Sequence, residues 1–464
     1  MPDRPGHRTA APATTAPVPA VPAPENEHAG RAASGEPKDT AGRAAGRSRQ
    51  DEHTGRAEGE GRNGAAGRAE GRGDMAGNRK GVFGRGGGWV GRVEAMTPAG
   101  RDRGVDALRG LAILGVVLGH WLVTAWVMEP GGGLRISSPL VHLPELTPLS
   151  WVLQTLAVFF FVGGYVAARS LRSGADGPAW VRARMGRLLR PAVPLLVAWA
   201  GIAAGAVAYG VPPATVRALV LPVVGPIWFL AVFAGLTAAT PLLLRLRPGV
   251  TAVSAGAVVL VVDALRFGLG GPAWLGWVNL AAGWLVPYAL GLGWARGLFA
   301  SRRPAVALLA GGAAGTVVLV TVFGYPASMV GLTGAKISNL SPPTLAAVTF
   351  GLAQVGLALL ARGPLARLMR RPRVWAVVAL ANLSAMTLFL WHQTAAAVTV
   401  VAALPFGEVP GLLSTPGTLA WVACRLAWVP VFALLLVSVM ALDARRRSPV
   451  PGEIPSGSAA SALR

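Results

Sequence analysis

Ten apolar runs close to membrane-spanning length constrain the fold of this chain more than any other feature of its sequence. A helix needs about 20 apolar residues to cross the roughly 30 Å of hydrocarbon in a bilayer. Charged residues make up only 14% of the 464 residues, against about 25% in soluble domains. We therefore predict an all-α bundle of about ten transmembrane helices. The runs lie at roughly 107–127, 149–168, 191–210, 222–244, 250–267, 273–295, 304–324, 342–361, 374–402 and 418–442.

The segments between the runs alternate between basic and nearly uncharged. One alternating set, which includes the end of the chain, holds 20 arginines, and the other set holds 4 basic residues. Cytoplasmic loops of membrane proteins carry an excess of Lys and Arg, so we expect the basic set and both termini to be cytoplasmic. The Ala-, Gly- and Arg-rich composition is typical of a GC-rich bacterial gene, which makes the cell membrane the expected location of a multi-pass chain.

The net charge of +22 does not predict binding to nucleic acid. Residues 1–100 carry 15 Lys/Arg and 12 Asp/Glu, so most of the excess lies between the apolar runs. Nucleic-acid binders interleave basic and aromatic residues along a groove, and this pattern is missing from the sequence. The lipid bilayer is the expected partner of the basic loops.

Composition also divides the chain into three parts. Residues 1–99 are rich in Ala, Gly, Pro, Arg and Glu, and cannot bury enough apolar surface to offset the entropy of ordering. We predict a disordered cytosolic tail over 1–99, a transmembrane domain over 100–445 and a short cytosolic tail over 446–464. Alternatively, Met96 is the true start and the first tail is not translated.

The first run places two ionisable residues, Arg109 and His120, on one helix face. They are 11 residues apart, which is three turns plus about 20° and about 16 Å along the axis. Arg109 is expected near the inner surface and His120 near the middle of the bilayer, where ionisable groups usually face a cavity or a partner. Histidine suits proton transfer near neutral pH. Asp106 shares the face and is expected to hold Arg109. The alternative is a hydrogen-bonded structural His and an Arg that snorkels to the interface.

Three arginines precede the third run at the predicted inner surface. Arg184, Arg187 and Arg190 recur every three residues and are expected to form a stripe facing the cytosol. Guanidinium groups pair bidentately with phosphate, so the stripe suits a polyanion such as a nucleotide. Ordinary loop topology or contact with lipid head groups explains the same pattern.

The run at 374–402 contains three polar residues, Asn382, Ser384 and His392. If it enters the membrane at Arg373, His392 lies about 28 Å along the helix, towards the outer face. There it would contact an acceptor, or it would be a hydrogen-bonded interfacial residue.

Two other segments are weaker candidates for substrate contact. Trp228 follows the backbone break at Gly225–Pro226, where aromatic residues more often pack than bind substrate. The polar outer loop at 328–344, with Lys336, suits a hydroxylated acceptor. The sequence contains no phosphate-binding loop, no metal-ligand spacing and no nucleophile elbow, and its single cysteine, Cys424, excludes an intrachain disulfide. We predict neither a metal nor a permanently bound cofactor.

Four motifs in matching order resemble the acyltransferase-3 family of membrane proteins. VDALRGLAILGVVLGH resembles the family's first span, in which an Arg, ten residues and a His recur, here Arg109 and His120 after Asp106. RLLRP resembles its cytoplasmic Arg-x-x-Arg element, IWFL its Trp-Phe-Leu segment, and NLSAMTLFLWH its late Ser-aromatic-Leu-x-His segment. The similarity spans roughly residues 101–445.

The resemblance implies an O-acyltransferase that moves an acyl group, often acetyl, from cytoplasmic acyl-CoA to a hydroxyl of a carbohydrate or another acceptor. It implies His120 as general base or acyl relay, Arg109 as a donor-holding or pocket-organising residue, and Arg187 and Arg190 as contacts of the CoA phosphates. The residues alone are also compatible with two other functions. One is a transporter or flippase of a small polar or lipid-linked substrate, which would show paired broken helices. The other is a membrane scaffold that binds no acyl-CoA.

Overall fold

A computed structural model describes residues 88–447 except 173, 175, 333 and 336, with only the backbone of 443–447. Most of the predicted N-terminal tail, Lys336 and residues 448–464 lie outside the described residues. The described part contains ten helical segments long and apolar enough to cross a membrane, which confirms the predicted all-α bundle. The segments are Arg103–Val123, Pro144–Arg172, Gly177–Ala208, Pro213–Ala238, Pro248–Gly268, Ala273–Ala295, Arg302–Thr321, Leu345–Leu368, Ala385–Phe406 and Leu419–Leu442.

Several of these segments combine two or more helices. The α-helices are α1 (Trp89–Ala95), α2 (Arg103–Val123), α3 (Pro139–His142), α4 (Ser150–Leu153), α5 (Leu156–Arg172), α6 (Gly177–Leu189), α7 (Ala192–Ala208), α8 (Pro213–Val224), α9 (Ile227–Ala238), α10 (Thr240–Leu243), α11 (Pro248–Asp263), α12 (Gly276–Ala295), α13 (Arg302–Thr321), α14 (Leu345–Leu368), α15 (Pro372–Leu383), α16 (Ala385–Ala403) and α17 (Leu419–Arg447). Short 3-10 turns span Pro144–Leu149, Ala273–Leu275 and Leu404–Phe406, and a π turn spans Ala264–Gly268.

The first predicted span ends earlier than expected. Helix α2 stops at Val123, and the chain continues as a hairpin of β1 (Ala125–Met128) and β2 (Leu134–Ser137), with Ala125 opposite Ser137. The strands are joined by a turn with positive φ at Gly131 and Gly132, a conformation that glycine adopts without strain. The hairpin therefore adds a small β element to the predicted all-α fold.

The expected tail boundary at residue 99 is too late. Helix α1 precedes it, and the Val93 side chain packs in a buried cluster with Trp375 of α15. Glu94 pairs with Arg103 at 2.6 Å, and the Arg103 guanidinium lies 4.8 Å from the Trp375 ring centre. These contacts attach residues 89–95 to the start of the membrane domain. At the other end α17 continues to Arg447, past the expected boundary at 445.

The run predicted as one span at 374–402 is two helices. Helix α15 ends at Leu383, Ser384 leaves helical geometry, and α16 begins at Ala385. Serine favours such helix ends because its side chain competes for backbone hydrogen bonds. Only α16 crosses the bundle, so His392 lies 7 residues into a span rather than near its far end.

Helix α2 is fixed at its start by one carboxylate. Asp102 accepts hydrogen bonds from the N–H groups of Gly104 and Val105, both at 3.1 Å, which caps the helix. The same side chain pairs with Arg362 of α14 at 2.5 Å. This places the residues of α2 in a fixed register against α14.

Helices α5 and α12 meet through glycines. A side chain at Gly164 would meet the Tyr288 carbonyl oxygen, and one at Gly291 would meet the Phe161 carbonyl oxygen. Small residues allow close backbone approach of this kind between membrane helices. Beside this contact the Phe160 and Trp284 rings stack at 5.0 Å, in the aromatic centre of the bundle.

A buried carboxylate organises the end of the bundle where α14 begins. Asp263 accepts hydrogen bonds from Asn279 (2.9 Å), from the Tyr325 hydroxyl (3.1 Å) and from the Leu345 N–H (2.7 Å), the first N–H of α14. A negative charge at a helix N-terminus is favourable. Burial and the neighbouring Asp263 carboxylate raise the pKa of the Tyr325 hydroxyl, which keeps it a hydrogen-bond donor.

Candidate active site

A cavity of about 370 Å³ lies at the end of the bundle where α2 ends and α14 begins. Its walls come from α2, β2, α8, α9 and α16, together with residues 153–156 and the loop residues Val330, Gly331, Ser338, Leu340 and Ser341. Small-molecule sites typically occupy about 300–1,000 Å³, so the cavity can hold a compact substrate.

His120 lines this cavity from the last turn of α2. Its ring is partly buried, and no other described residue forms a hydrogen bond with either ring nitrogen. The residue lies 3 positions before the end of α2 at Val123, so it is nearer the hairpin end of the helix than the expected middle of the bilayer. The position leaves both nitrogens free for a bound molecule.

His392 lies against His120, with ring centroids 5.1 Å apart and planes tilted by 50°. The expectation that His392 lies farther out than His120 is wrong, because α15 and α16 divide the run that contains it. The His392 Nδ1 is 2.7 Å from the Phe389 carbonyl oxygen, which can only accept, so Nδ1 carries the hydrogen and donates it. The other nitrogen, Nε2, is then an acceptor, and it is buried with no partner among the described residues.

Arg109 is not held by Asp106 as predicted. The Asp106 carboxylate pairs with Arg101, at 2.6 Å to Nε and 3.2 Å to Nη2. Arg109 is partly buried, the charges of Asp106 and Arg101 act on it, and it forms no hydrogen bond with any other described residue. Its guanidinium is therefore available to an anion.

Arg184 and Arg187 of α6 and Arg190, which directly follows the helix, do not form one stripe. Steps of three residues turn a helix by about 300°, so successive side chains fan out across the surface. Arg187 and Arg190 are exposed, whereas Arg184 turns inward, with its guanidinium 5.3 Å from the Trp180 ring centre and its Nε unpartnered in the described part of the chain. Arg184 is close enough to Arg187 and Arg109 for their charges to interact. We call Arg109, Arg184, Arg187 and the neighbouring Arg190 the basic group.

The weaker predicted contacts divide into two groups. Trp228 lines the cavity, and its ring lies 6.3 Å from that of Trp284. Asn382 and Ser384 do not line it. Asn382 instead donates to the Asp106 carbonyl oxygen at 2.8 Å and joins α15 to α2. Ser384 stands at the break between α15 and α16.

Sequence reasoning missed Gln393, which lines the cavity beside His120. Its Nε2 donates to the Thr124 hydroxyl at 3.2 Å, while its Oε1 is buried with no hydrogen-bond partner in the described residues. Gln393 directly follows His392 in an apolar run, and the same reasoning that singled out the histidine could have included it.

Sequence reasoning also missed Arg425, which is 0% exposed within α17. Its guanidinium donates to the carbonyl oxygens of Trp121 (2.7 Å), Thr124 (2.7 Å) and Gly411 (3.0 Å). It therefore satisfies carbonyls at the end of the helix that carries His120, which otherwise lack partners. The Trp121 indole N–H in turn donates to the His392 carbonyl oxygen at 2.8 Å, so α2, α16 and α17 are joined behind the cavity.

A multi-pass bundle with one imidazole in a cavity wall and a second, buried imidazole packed against it describes a membrane enzyme in general terms. The family model described as an acyltransferase domain, that of the acyltransferase-3 family, matches residues 102–442. The match covers most of the chain, so the chain belongs to this family and is a membrane acyltransferase, as the motifs predicted. No curated protein matches the chain. No solved structure matches it either.

Proposed function

We propose that the chain moves an acyl group, acetyl in the simplest case, from acyl-CoA to a hydroxyl of an acceptor in the cavity, with His120 as general base. One observation carries the proposal. His120 faces the cavity without a partner among the described residues, on the same helix as Arg109 of the basic group. The acceptor is a carbohydrate or another hydroxylated molecule.

The basic group supports a polyanionic donor at the opposite end of α2 from the cavity. Arg187 and Arg190 are exposed there, and Arg184 and Arg109 lie further in with hydrogen-bonding capacity to spare. Guanidinium groups suit the phosphates of CoA. The acylated arm would then run along α2 for the roughly 16 Å that separates Arg109 from His120.

The reaction needs one proton acceptor that becomes a proton donor. The neutral His120 ring accepts the proton of the acceptor hydroxyl as that oxygen attacks the thioester carbonyl carbon. The carbon–sulfur bond then breaks, the proton passes from His120 to the sulfur, and CoA leaves as a thiol. A positioned acid–base group of this kind contributes about 10²–10⁴-fold in rate.

The same proposal gives the chain an orientation. The basic loops and both termini lie in the cytoplasm of a cell whose plasma membrane holds the protein, because the positive-inside rule favours that arrangement. The donor then comes from the cytoplasm, and the cavity receives its acceptor from the opposite side.

The test compares a strain lacking the gene with strains that carry the wild type, His120→Ala or His142→Gln. Mass spectrometry of envelope glycans and secreted metabolites should reveal an acyl mass that is lost without the gene and is restored by the wild type. His120→Ala should reach the membrane in normal amounts and fail to restore it. His142→Gln, an exposed histidine outside the cavity lining, should restore it. Full restoration by His120→Ala would refute the proposed role.

A further inference from the structure

The proposed acyl transfer places a negative charge on the thioester carbonyl oxygen when the acceptor hydroxyl attacks. Enzymes stabilise such an oxyanion with fixed hydrogen-bond donors, and one donor is worth about 10²–10³-fold in kcat. No described residue of the cavity lining carries an ammonium or guanidinium group, so a neutral N–H group would have to serve. Besides His120, two lining side chains have a nitrogen that is not enclosed and has no hydrogen-bond partner among the described residues, Gln154 and Trp228.

The Gln154 side chain is fixed at the break between α4 and α5, where the backbone is extended (φ −78°, ψ 102°). Its Oε1 accepts a hydrogen bond from the Leu156 N–H at 3.3 Å. A backbone N–H can only donate, so the bonded atom is the amide oxygen and the NH₂ group is the free end. The Gln154 carbonyl oxygen accepts from the Gln354 side chain of α14. The carboxamide is therefore held in place before any substrate binds.

The segment that contains Gln154 packs along α2. On one side of Gln154, the Thr155 hydroxyl donates to the Ala112 carbonyl oxygen at 2.7 Å. On the other side, a side chain added at Gly119 would lie 3.5 Å from the Leu153 Cβ. Gln154 is therefore level with the stretch of α2 between Ala112 and Gly119, on the wall of the cavity that α2 forms.

This level lies on the Arg109 side of His120. An acyl arm that runs along α2 from Arg109 reaches the level of Gln154 about one turn, or about 5.4 Å, before it reaches His120. The thioester carbonyl then lies between the Gln154 amide and the hydroxyl that His120 deprotonates. Trp228 belongs instead to α9, which packs on α5, α6 and α12.

We propose that the Gln154 Nε2 donates the hydrogen bond that stabilises the oxyanion. As the hydroxyl oxygen bonds to the carbonyl carbon, its proton passes to His120 and the carbonyl electron pair moves onto the oxygen that faces Gln154. The pair re-forms the carbonyl double bond when the carbon–sulfur bond breaks and the sulfur takes the proton from His120. This inference rests on the proposed function and adds the group that binds the oxygen of the reacting carbonyl.

The test changes the atom that accepts this hydrogen bond. Dithioacetyl-CoA carries sulfur in place of the carbonyl oxygen, and sulfur is a weak acceptor. The full chain in lipid nanodiscs transfers either acyl group to the unacylated acceptor purified from the strain lacking the gene. In Gln154→Met, kcat with acetyl-CoA should fall about 10²-fold, whereas kcat with dithioacetyl-CoA should fall less than about tenfold. A purely structural loss would slow both donors by the same factor.

Two further variants separate the amide from its neighbours. Trp228→Phe removes the other free N–H group and keeps a ring, and it should slow both donors by one common factor. Gln154→Ser loses the amide, but its hydroxyl can still accept from the Leu156 N–H, so it should repeat the selective loss even if Gln154→Met does not fold. Wild-type kcat or equal slowing of both donors in the Gln154 variants would overturn the inference. A selective loss in Trp228→Phe alone would overturn it as well.

Failure of the proposed function gives a different result, because it is read from the wild type. If the wild type neither acetylates the purified acceptor nor releases CoA thiol from acetyl-CoA, acyl transfer is refuted and the role of Gln154 falls with it. If the wild type transfers acetyl and the Gln154 variants slow both donors equally, acyl transfer stands. Gln154 then only fixes the start of α5.

Discussion

Two adjacent histidines of this protein are held in different ways. The His392 ring has one nitrogen committed to the Phe389 carbonyl, whereas both nitrogens of His120 are free of described partners. A ring with one committed nitrogen beside a ring with both nitrogens free suits a division of roles in proton transfer. In the proposed reaction His120 exchanges the proton with the substrates, while the His392 Nε2 is an acceptor buried beside it, unpartnered in the described part of the chain.

This division predicts a specific effect of His392→Phe, which keeps a ring and removes the nitrogens. We expect kcat to fall about 10²-fold, the low end of what a positioned proton-transfer group contributes, with KM for acetyl-CoA unchanged. Steady-state acetyl transfer by the purified protein measures both constants. An unchanged kcat would mean that His392 only fills space beside His120.

Arg425 contributes to the stability of the folded protein. In Arg425→Met the carbonyls of Trp121, Thr124 and Gly411 lose their donor while the volume is roughly kept. We expect the free energy of unfolding to fall by about 3 kcal/mol, since hydrogen bonds from charged groups are worth about 1.5–3 kcal/mol each and partial rearrangement recovers some of them. Thermal unfolding in detergent should show a lower Tm. Arg217→Met, an exposed arginine on α8, is the matched control and should melt like the wild type. Equal Tm values for both variants would contradict this role.

At the scale of elements, α2 carries most of the site. Asp102 caps its start, Arg109 and His120 lie along one face, and Arg425 satisfies its last carbonyls. The spacing of Arg109 and His120 was readable from the sequence because helical periodicity is local. Their partners were not readable in this way. Asp106 pairs with Arg101, and helical spacing alone does not decide between Arg101 and Arg109 as its partner.

The same difference between local periodicity and contacts between helices explains the predictions that the structure corrects. Hydropathy detects apolar length but not a break, so Ser384 was hidden inside one 29-residue run, and the depth of His392 was wrong with it. Arg425 and Gln393 were visible as polar residues in apolar runs. Their roles depend on which helices face each other, and a single sequence does not contain that information.

The contact of α5 with α12 predicts an effect of adding a side chain there. Gly164→Val should force the two backbones apart, and overpacking of this kind costs about 1–3 kcal/mol or more. Gly201→Val on α7 is the control, because nothing lies within 4 Å of a side chain added there. Size-exclusion profiles in mild detergent should show loss of the monodisperse peak for Gly164→Val alone. Identical profiles would contradict the close approach.

At the scale of the whole molecule, the chain presents opposite chemistry at its two ends. One end carries the basic group of α6 and Arg109, and the other carries a neutral, largely apolar cavity with His120 in its wall. The family match covers both ends within residues 102–442. This difference between the two ends suits an enzyme that takes its two substrates from opposite sides of a membrane.

Sealed vesicles of known orientation test this claim most directly. The orientation of the protein is determined by labelling two variants, Ser301→Cys and Ala335→Cys, with an impermeant maleimide from one side. Each variant also carries Cys424→Ala. Radiolabelled acetyl-CoA is supplied to one face, and the acceptor identified by mass spectrometry of the strain lacking the gene is supplied to both. The account predicts acetylated acceptor when acetyl-CoA meets the face carrying Ser301, and none when it meets the face carrying Ala335. Equal product from acetyl-CoA on either face, with the vesicles shown to be sealed, would contradict it.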